Sequence, residues 1–438
     1  MSDKVIRLGG SHIGLPDSIK NLKQYLSGNE GKNFIVVSAI PEILEIFRKE
    51  LSLVFITNAE ENDFTNRLLA ISKKYHLANV NSSYRDLSVQ AGNLLKGIAL
   101  IGDYSQALKD QVISFAEILS VELLKSNWDE ASVLLPEAIS LEASSDFGNA
   151  TFTGVDIDKL KRLPNGTYLI PGTYGVTSEG KTARTGETAA DYTAAFLTQQ
   201  LEIEKLELWD LDRKFFRADP KIISDSSLIT RLTYAEASEL AYFEHYSFHP
   251  RTVEPLEQEH IPITILDSGS PEGKVLTTIN TETYVENQIV KSVACSDDIS
   301  LLKLDGPGVG LKPGILAKVT TQLNNAGLNI KSVITSQTSI NFILSKENGS
   351  KAIELTHQLG FSSVTEVSLV EDVSLIGIVG HGMQHAYGVS ARIFTAVANN
   401  HINVLLSGSG ASDLVIYLVV QKNDKVKSVN EIYKAFFN

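Results

Sequence analysis

The chain opens on an apolar run closed by two glycines, "KVIRLGG", followed by "PDSIKNLKQYL", in which Ile19, Leu22, Tyr25 and Leu26 recur at the three- and four-residue spacing of one helical face. That pattern predicts a strand, a glycine turn and a helix. "NFIVVSAI", "YLIPGTYG" and "KLELWDL" are further short apolar runs, each followed by helical or turn-rich sequence. Continuous apolar runs mark strands buried on both faces. The pattern therefore predicts an α/β domain with a mostly parallel sheet and helices on both faces. In "TYAEASELAYF", Thr233 and Glu236 have capping-box spacing, which predicts a helix starting there. This first domain is expected to run to residue 285.

After "SPEGKVLTTINTETYVENQ" the pattern shifts to short strands around two similar helices. "GILAKVTTQLNNAGLNI" from Gly314 and "GVSARIFTAVANNHINV" from Gly388 align without a gap. In both, apolar residues fall four apart (Ile315, Val319, Leu323; Val389, Ile393, Val397), as a helix packing on a sheet requires. A strand is expected before each helix ("DISLLKL", "DVSLIGIVG"), and strands after it ("IKSVITS", "INFILS"; "VLLSGS", "LVIYLVV"). The repeat predicts two small α+β modules.

The 438 residues carry a formal net charge of -13. An acidic balance argues against nucleic acid or an anionic membrane as partner, since both call for clustered Lys and Arg. A small-molecule ligand is expected instead. The lone Cys295 excludes an intrachain disulfide and reads as a small buried hydrophobe. "MSDKVIRLGG" has no stretch suited to a secretory signal, and no run approaches the roughly 20 apolar residues of a membrane span. The cytoplasm is the expected location. His12 and His249 lack partners at ligand spacing and read as structural, so no metal site is expected.

"GTYGVTSEGKTARTGETAADYTAAF", Gly172 to Phe196, is a glycine-punctuated loop entering an alanine-rich helix, an arrangement that often cradles phosphate. Yet it carries Glu187 at the turn. "ADYTAAFL", "LELWDLDRKFFRADPKI", "LTYAEASELAYF" and "HPRTVEPL" follow in the order and spacing of the signatures of aspartokinases, and the chain resembles that family over nearly its whole length. The resemblance implies an amino-acid-kinase (carbamate-kinase-like) three-layer αβα domain over residues 1–285. Two ferredoxin-like ACT modules follow, over 286–369 and 370–438, intertwined and pairing two copies into a homodimer. It also implies transfer of the ATP γ-phosphoryl group to the aspartate side chain, with Mg2+, on the route to lysine, threonine and methionine.

Site residues follow where they match. "RLGGSH" stands for the family's K-F-G-G-T-S, which implies a catalytic role for Arg7 and nucleotide contact for Gly9 and Gly10. Asp191 aligns with the second catalytic residue. Ser38 and Glu117, the latter in "SFAEILS", align with substrate contacts, and Asp210 and Lys221 with nucleotide contacts. The departures are chemical. The family's R-G-G-S has become Glu187, Thr188, Ala189 and Ala190, a threonine falls at Leu44, and an adenine-side lysine falls at Tyr246. Arg7 and Lys221 keep their charge as swaps, Tyr246 loses it and Glu187 reverses it. A unit charge at about 4 Å is worth roughly 4 kcal/mol at an effective dielectric near 20. The sequence thus implies an aspartokinase-like chain with weak or absent phosphotransfer, or a non-catalytic ACT-bearing sensor or regulatory subunit. On the residues alone, Arg7 either meets phosphate or pairs with a local acid. Asp191 is either catalytic or a helix cap, and Glu117 either a substrate contact or an internal hydrogen-bond partner. Glu187 is either loop drift or a new contact.

For the ACT region the resemblance places effector contacts at Ile315, Leu316, Asn329, Ile330, Ser336 and Gln337. Lys331 and Gln337 stand where lysine-responsive relatives have acids, so a neutral amino acid such as threonine is the expected effector.

Overall fold

The computed structural model describes residues 3–54, 61–75, 82–186, 189–210, 214–243, 250–284, 289–310, 312–409 and 412–437. The chain divides into two compact units. The first comprises Met1–Lys214, Thr230–Tyr234 and Ser247–Glu282, and the second Phe215–Ile229, Ala235–Tyr246 and Thr283–Asn438.

An eight-stranded sheet organises the first unit. Its order is Arg231–Thr233, Val275–Asn280, Ile263–Leu266, Leu206–Trp209, Lys4–Leu8, Lys32–Val37, Gly166–Pro171 and Ser132–Val133. Every pairing is parallel except that of Ile263–Leu266 with Val275–Asn280. The apolar runs therefore became strands as the pattern predicts, with Val5, Ile6 and Leu8 of the first strand fully buried. Ile6, Leu8, Ile35 and Val37 share one core with Leu22, Phe47, Ala116, Leu119 and Leu123, drawn from the helices Pro16–Leu26, Pro41–Leu53 and Gln106–Ser126. The turn after the first strand depends on glycine, since a Cβ at Gly10 would lie 1.9 Å from the Ala39 carbonyl oxygen. A smaller sheet, ordered Phe152–Gly154, Glu142–Ala143, Tyr174–Val176 and Thr182–Arg184, carries the glycine-punctuated loop. The helix expected near Thr233 runs Tyr234–Ala241.

The second unit holds two four-stranded sheets. One is ordered Ile330–Thr335, Ser339–Leu344, Ser300–Asp305 and Glu366–Val370. The other is ordered Val290–Ser296, Val373–Gly380, Val415–Gln421 and Val404–Gly408. The repeated sequences form matching helices, Ile315–Asn325 and Val389–Asn399, each preceded by a left-handed glycine, Gly314 at φ 91° and Gly388 at φ 81°. Side chains rarely adopt that conformation, which accounts for glycine opening both repeats. Each module also contains a second helix, Gly349–His357 or Lys425–Phe437, that the repeat did not mark. Strand Val290–Ser296 falls within the expected first module, 286–369, yet completes the sheet of the second. The segment after the Tyr234–Ala241 helix packs here too: a Cβ at Gly377 would lie 1.9 Å from the Phe243 ring, and Lys291 Nζ donates to Glu236 Oε2 at 2.7 Å inside the unit. Among the described residues no helix is long and apolar enough to cross a membrane.

Two adjacent carboxylates hold the junction of these modules. Asp297 accepts from Ser374 Oγ at 2.6 Å and Lys425 Nζ at 2.7 Å, whereas Asp298 accepts from Lys331 Nζ at 2.9 Å and from the Lys346 amide at 2.9 Å. Partial burial pushes both carboxyls up, but these hydrogen bonds and charges outweigh it and leave both below the usual aspartate range. A carboxyl depressed in the folded state stabilises it above the unfolded value, and that contribution is lost as pH falls through the folded one. Asp297→Asn/Asp298→Asn is therefore expected to cost about 1–2 kcal/mol at pH 7, after allowance for solvent screening of these half-exposed pairs, with the difference from wild type shrinking below about pH 4. Urea denaturation at pH 7 and pH 3.5 measures it; an equal difference at both pH values would exclude the carboxylates as its cause.

Candidate functional site

Parallel strands end together, and their C-terminal ends are where an open α/β sheet presents side chains to a ligand. The register sets Arg7 beside Val36 and Leu208, and Leu8 beside Val37 and Trp209. Gly9, Ser38 and Asp210, each one residue past its strand, therefore meet at one edge. Helix Ala190–Gln200 brings Asp191 to the same place in its first turn, where the helix dipole favours an acid.

The Arg7 guanidinium, 5% exposed, is the centre of this edge. Its Nε lies 2.8 Å from Asp191 Oδ1, its Nη1 donates to Asp210 Oδ2 at 2.8 Å, and its Nη2 donates to Ser38 Oγ at 3.0 Å. The contact with Asp191 is an ion pair whose angle falls short of an aligned hydrogen bond. Asp210 Oδ1 meets His12 Nε2 at 3.1 Å, and His12 Nδ1 meets Ser18 Oγ at 3.2 Å. Ser18 Oγ also accepts from Trp209 Nε1 at 3.3 Å. Arg7 is thus paired with two acids. Asp191 is not the helix cap: Ala189 holds that position and makes no side-chain capping bond. His12 is fully buried beside them.

A second buried network lies nearby in the same unit. Glu117, on helix Gln106–Ser126, accepts from the Thr173 amide at 3.0 Å and from the Thr173 hydroxyl. The same hydroxyl accepts from Arg184 Nη2 at 3.1 Å, and Arg184 Nη2 lies 3.7 Å from Glu117 Oε1. Burial pushes the Glu117 carboxyl up, against the opposing pull of Arg184 and Thr173. Asp110 fixes this loop by accepting from the amides of Gly148 at 2.7 Å and Arg184 at 2.9 Å. Glu117 thus acts as the internal hydrogen-bond partner. Arg184, Thr173, Asp110 and Ser18 were not singled out from the sequence. The one available signal was an arginine three residues before Glu187 in the loop that lost its expected cation.

Gly9 packs against the cluster, with a Cβ there falling 2.9 Å from the His12 ring and 3.2 Å from Arg7 Nη1. Lys221 is an exposed residue of the second unit whose amide donates to Asp219 Oδ1 at 2.9 Å. Glu187, Thr188, Tyr246 and His249 lie outside the described residues. Among the described residues, the strand-end cation that would meet the phosphates of ATP with Mg2+ is paired with two carboxylates. Ala189 and Ala190 are fully buried, and a Cβ at Gly172 would come 2.5 Å from the Ala190 methyl. No group of three or more potential ligands able to hold a metal ion occurs among the described residues.

In the second unit, Ile315 is buried in its module's core, so only its backbone is available to a ligand, whereas Leu316, Asn329, Ser336 and Gln337 are exposed and Ile330 is half-buried. Lys331, expected to face an effector, turns its ammonium onto Asp298, donating also to that residue's carbonyl at 2.6 Å.

The sequence profile of the Amino acid kinase family matches residues 4–267, and two ACT domain profiles match residues 294–358 and 376–436. A bifunctional aspartokinase/homoserine dehydrogenase of Haemophilus influenzae is 27% identical over 368 residues, covering 80% of this chain and 44% of the relative. Aspartokinase 1, chloroplastic, of Arabidopsis thaliana is 26% identical over 466 residues, covering 99% of this chain and 80% of the relative. The chain spans about half the length of the curated bifunctional relatives it matches. The crystal structure of E. coli aspartokinase III in complex with aspartate and ADP (R-state) superposes with a TM-score of 0.79 at 23% identity, covering 100% of both chains, a likeness of fold.

The hydroxyl of Thr173 serves two buried charged groups at once, so Thr173→Val should cost about 1–3 kcal/mol in urea denaturation by leaving Glu117 and Arg184 short of a partner. A loss below about 0.5 kcal/mol would mean that the network does not depend on that hydroxyl.

Proposed function

The chain belongs to the amino acid kinase family and carries two ACT domains, and from that we propose that it is an aspartokinase homologue with weak or lost phosphotransfer, whose ACT region senses an amino acid and regulates this chain or a partner. One observation carries the reading: the Arg7 guanidinium is shared between Asp191 and Asp210. Phosphoryl transfer to a carboxylate brings two anions together, so catalysis rests on positioning and positive charge. Among the described residues the Arg7 cation faces two carboxylates, which compete with phosphate for it. Each unbalanced charge is worth roughly 4 kcal/mol at about 4 Å, and each 1.36 kcal/mol is about tenfold in rate.

On this reading residues 1–285 form the kinase-like domain and 286–369 and 370–438 the ACT modules, with Val290–Ser296 lent to the second. Arg7 and Asp191 keep the catalytic positions, Ser38 and Glu117 the substrate positions, and Gly9, Gly10, Asp210 and Lys221 the nucleotide positions. ATP with Mg2+ and aspartate are the ligands those positions would take. The acidic balance favours small molecules over nucleic acid or membrane, in the cytoplasm. The effector reaches the segment from Ile315 and Leu316 and the strand from Asn329 and Ile330 to Ser336 and Gln337. Lys331 is paired with Asp298 and Gln337 is neutral, so neither position offers the strand a carboxylate for a lysine ammonium, which favours a neutral amino acid over lysine.

Steady-state assay of the purified chain with ATP–Mg2+ and aspartate is expected to give turnover well below about one per second; a rate at or above that, the low end of ordinary kinases, would restore the enzyme reading. For the ACT region, threonine is expected to raise the melting temperature more than lysine at equal concentration, measured on the homodimer that sedimentation at micromolar concentration should report. A larger shift with lysine would overturn the assignment of a neutral effector.

A further inference from the structure

The two carboxylates on Arg7 are held by different means. Asp191 is fixed by its place in the first turn of helix Ala190–Gln200. Asp210 lies one residue beyond its strand and is held through side chains, with Oδ2 on Arg7 Nη1 at 2.8 Å and Oδ1 on His12 Nε2 at 3.1 Å. Behind it, Ser18 Oγ accepts from the indole N–H of Trp209 at 3.3 Å and meets His12 Nδ1 at 3.2 Å, so the imidazole is held from its far side while Nε2 faces Asp210. The histidine braces Asp210 so that its other oxygen meets the guanidinium.

A guanidinium fork binds a carboxylate and a phosphate through the same geometry. Asp210 is therefore chemically a competitor for any phosphate that approaches Arg7. Beside the pair stands Gly9, whose missing side chain keeps the backbone near Nη1: a Cβ there would lie 3.2 Å from Nη1 and 3.4 Å from Asp210 Oδ2. Among the described residues, the charged and titratable groups that meet one another at this edge include Arg7, Asp191, Asp210 and His12, with Ser38 a neutral partner on Nη2.

We propose that Asp210 is a built-in anion that closes the strand-end site, and that removing its charge opens that site to a polyphosphate. The inference rests on the reading of this edge as a self-neutralised phosphate site. With Asp210 uncharged, one carboxylate fewer faces the guanidinium, and an oxyanion approaching Nη1 no longer competes with that carboxylate. His12 keeps a hydrogen-bond acceptor if the replacement is asparagine, so the brace survives the loss of charge.

Isothermal titration of the full chain with inorganic tripolyphosphate, and separately with ATP–Mg2+, tests it. Asp210→Asn should bind tripolyphosphate at least about tenfold more tightly than wild type, the gain expected from removing a like charge within contact distance. Asp210→Glu, which keeps the charge, should not, and Asp210→Asn/Arg7→Met should lose the gain. A change below about threefold in Asp210→Asn, or a gain that persists without Arg7, would overturn the proposal. If Asp210→Asn lacks a cooperative melt, Asp210→Ser takes the same test. The wild-type arm needs no variant: millimolar tripolyphosphate should leave its melting temperature unchanged, and a rise of several degrees lost in Arg7→Met would show the site already open. Wild-type turnover of about one per second or more would sink the functional reading. A silent wild type whose Asp210→Asn form gains no affinity sinks this inference alone.

Discussion

A buried guanidinium has to be answered by charge, and in the first unit that requirement arranges everything around it. Arg7 stands at the end of an interior strand of a parallel sheet, where removal from water costs several kcal/mol unless its donors are met. Asp191 comes from a helix start, Asp210 and Ser38 come from the adjoining strand ends, and His12, Ser18 and Trp209 hold Asp210 in turn. Six residues from several parts of the sequence are thus arranged around one charge. Within a low-dielectric interior such a network rigidifies the groups it joins.

The same logic governs Glu117, Thr173 and Arg184. A buried acid and a buried arginine are joined through one threonine inside the protein. The architecture around them is fixed by apolar packing: the strand cores, the glycine turn against Ala39, the helix over the sheet. The chemistry differs because a few polar substitutions at strand and helix ends change which groups a charge can reach, at little cost to that packing.

In the second unit, packing and charge divide in a similar way. The two modules repeat the same helix, opened by a left-handed glycine and packed through residues four apart. Their junction is polar, with Asp297 and Asp298 each anchoring a different module. Lys331, which looks from the sequence like a charge offered to an effector, spends its donors on Asp298. That leaves Asn329, Ser336 and Gln337 as the exposed neutral side chains at the strand's flanks.

The sequence by itself determined the secondary structure and the class of each unit, because apolar periodicity, glycine punctuation and capping-box spacing are local and act through the backbone. The parallel sheet, the helix after Thr233 and the repeated module helices were all legible in that way. The second helix of each module was not, since no repeat or motif marked Gly349–His357 or Lys425–Phe437. Neither was the strand exchange, because Val290–Ser296 reads as an ordinary apolar run whichever sheet it joins. At the candidate site the sequence supplied the residue types and showed that the charges had changed. Only the tertiary structure decided that Arg7 meets Asp191 and Asp210, or that His12 stands behind Asp210, because those partners lie about 200 residues apart and are joined by strand register. Electrostatic strength falls with distance and with exposure to water, and the sequence records neither.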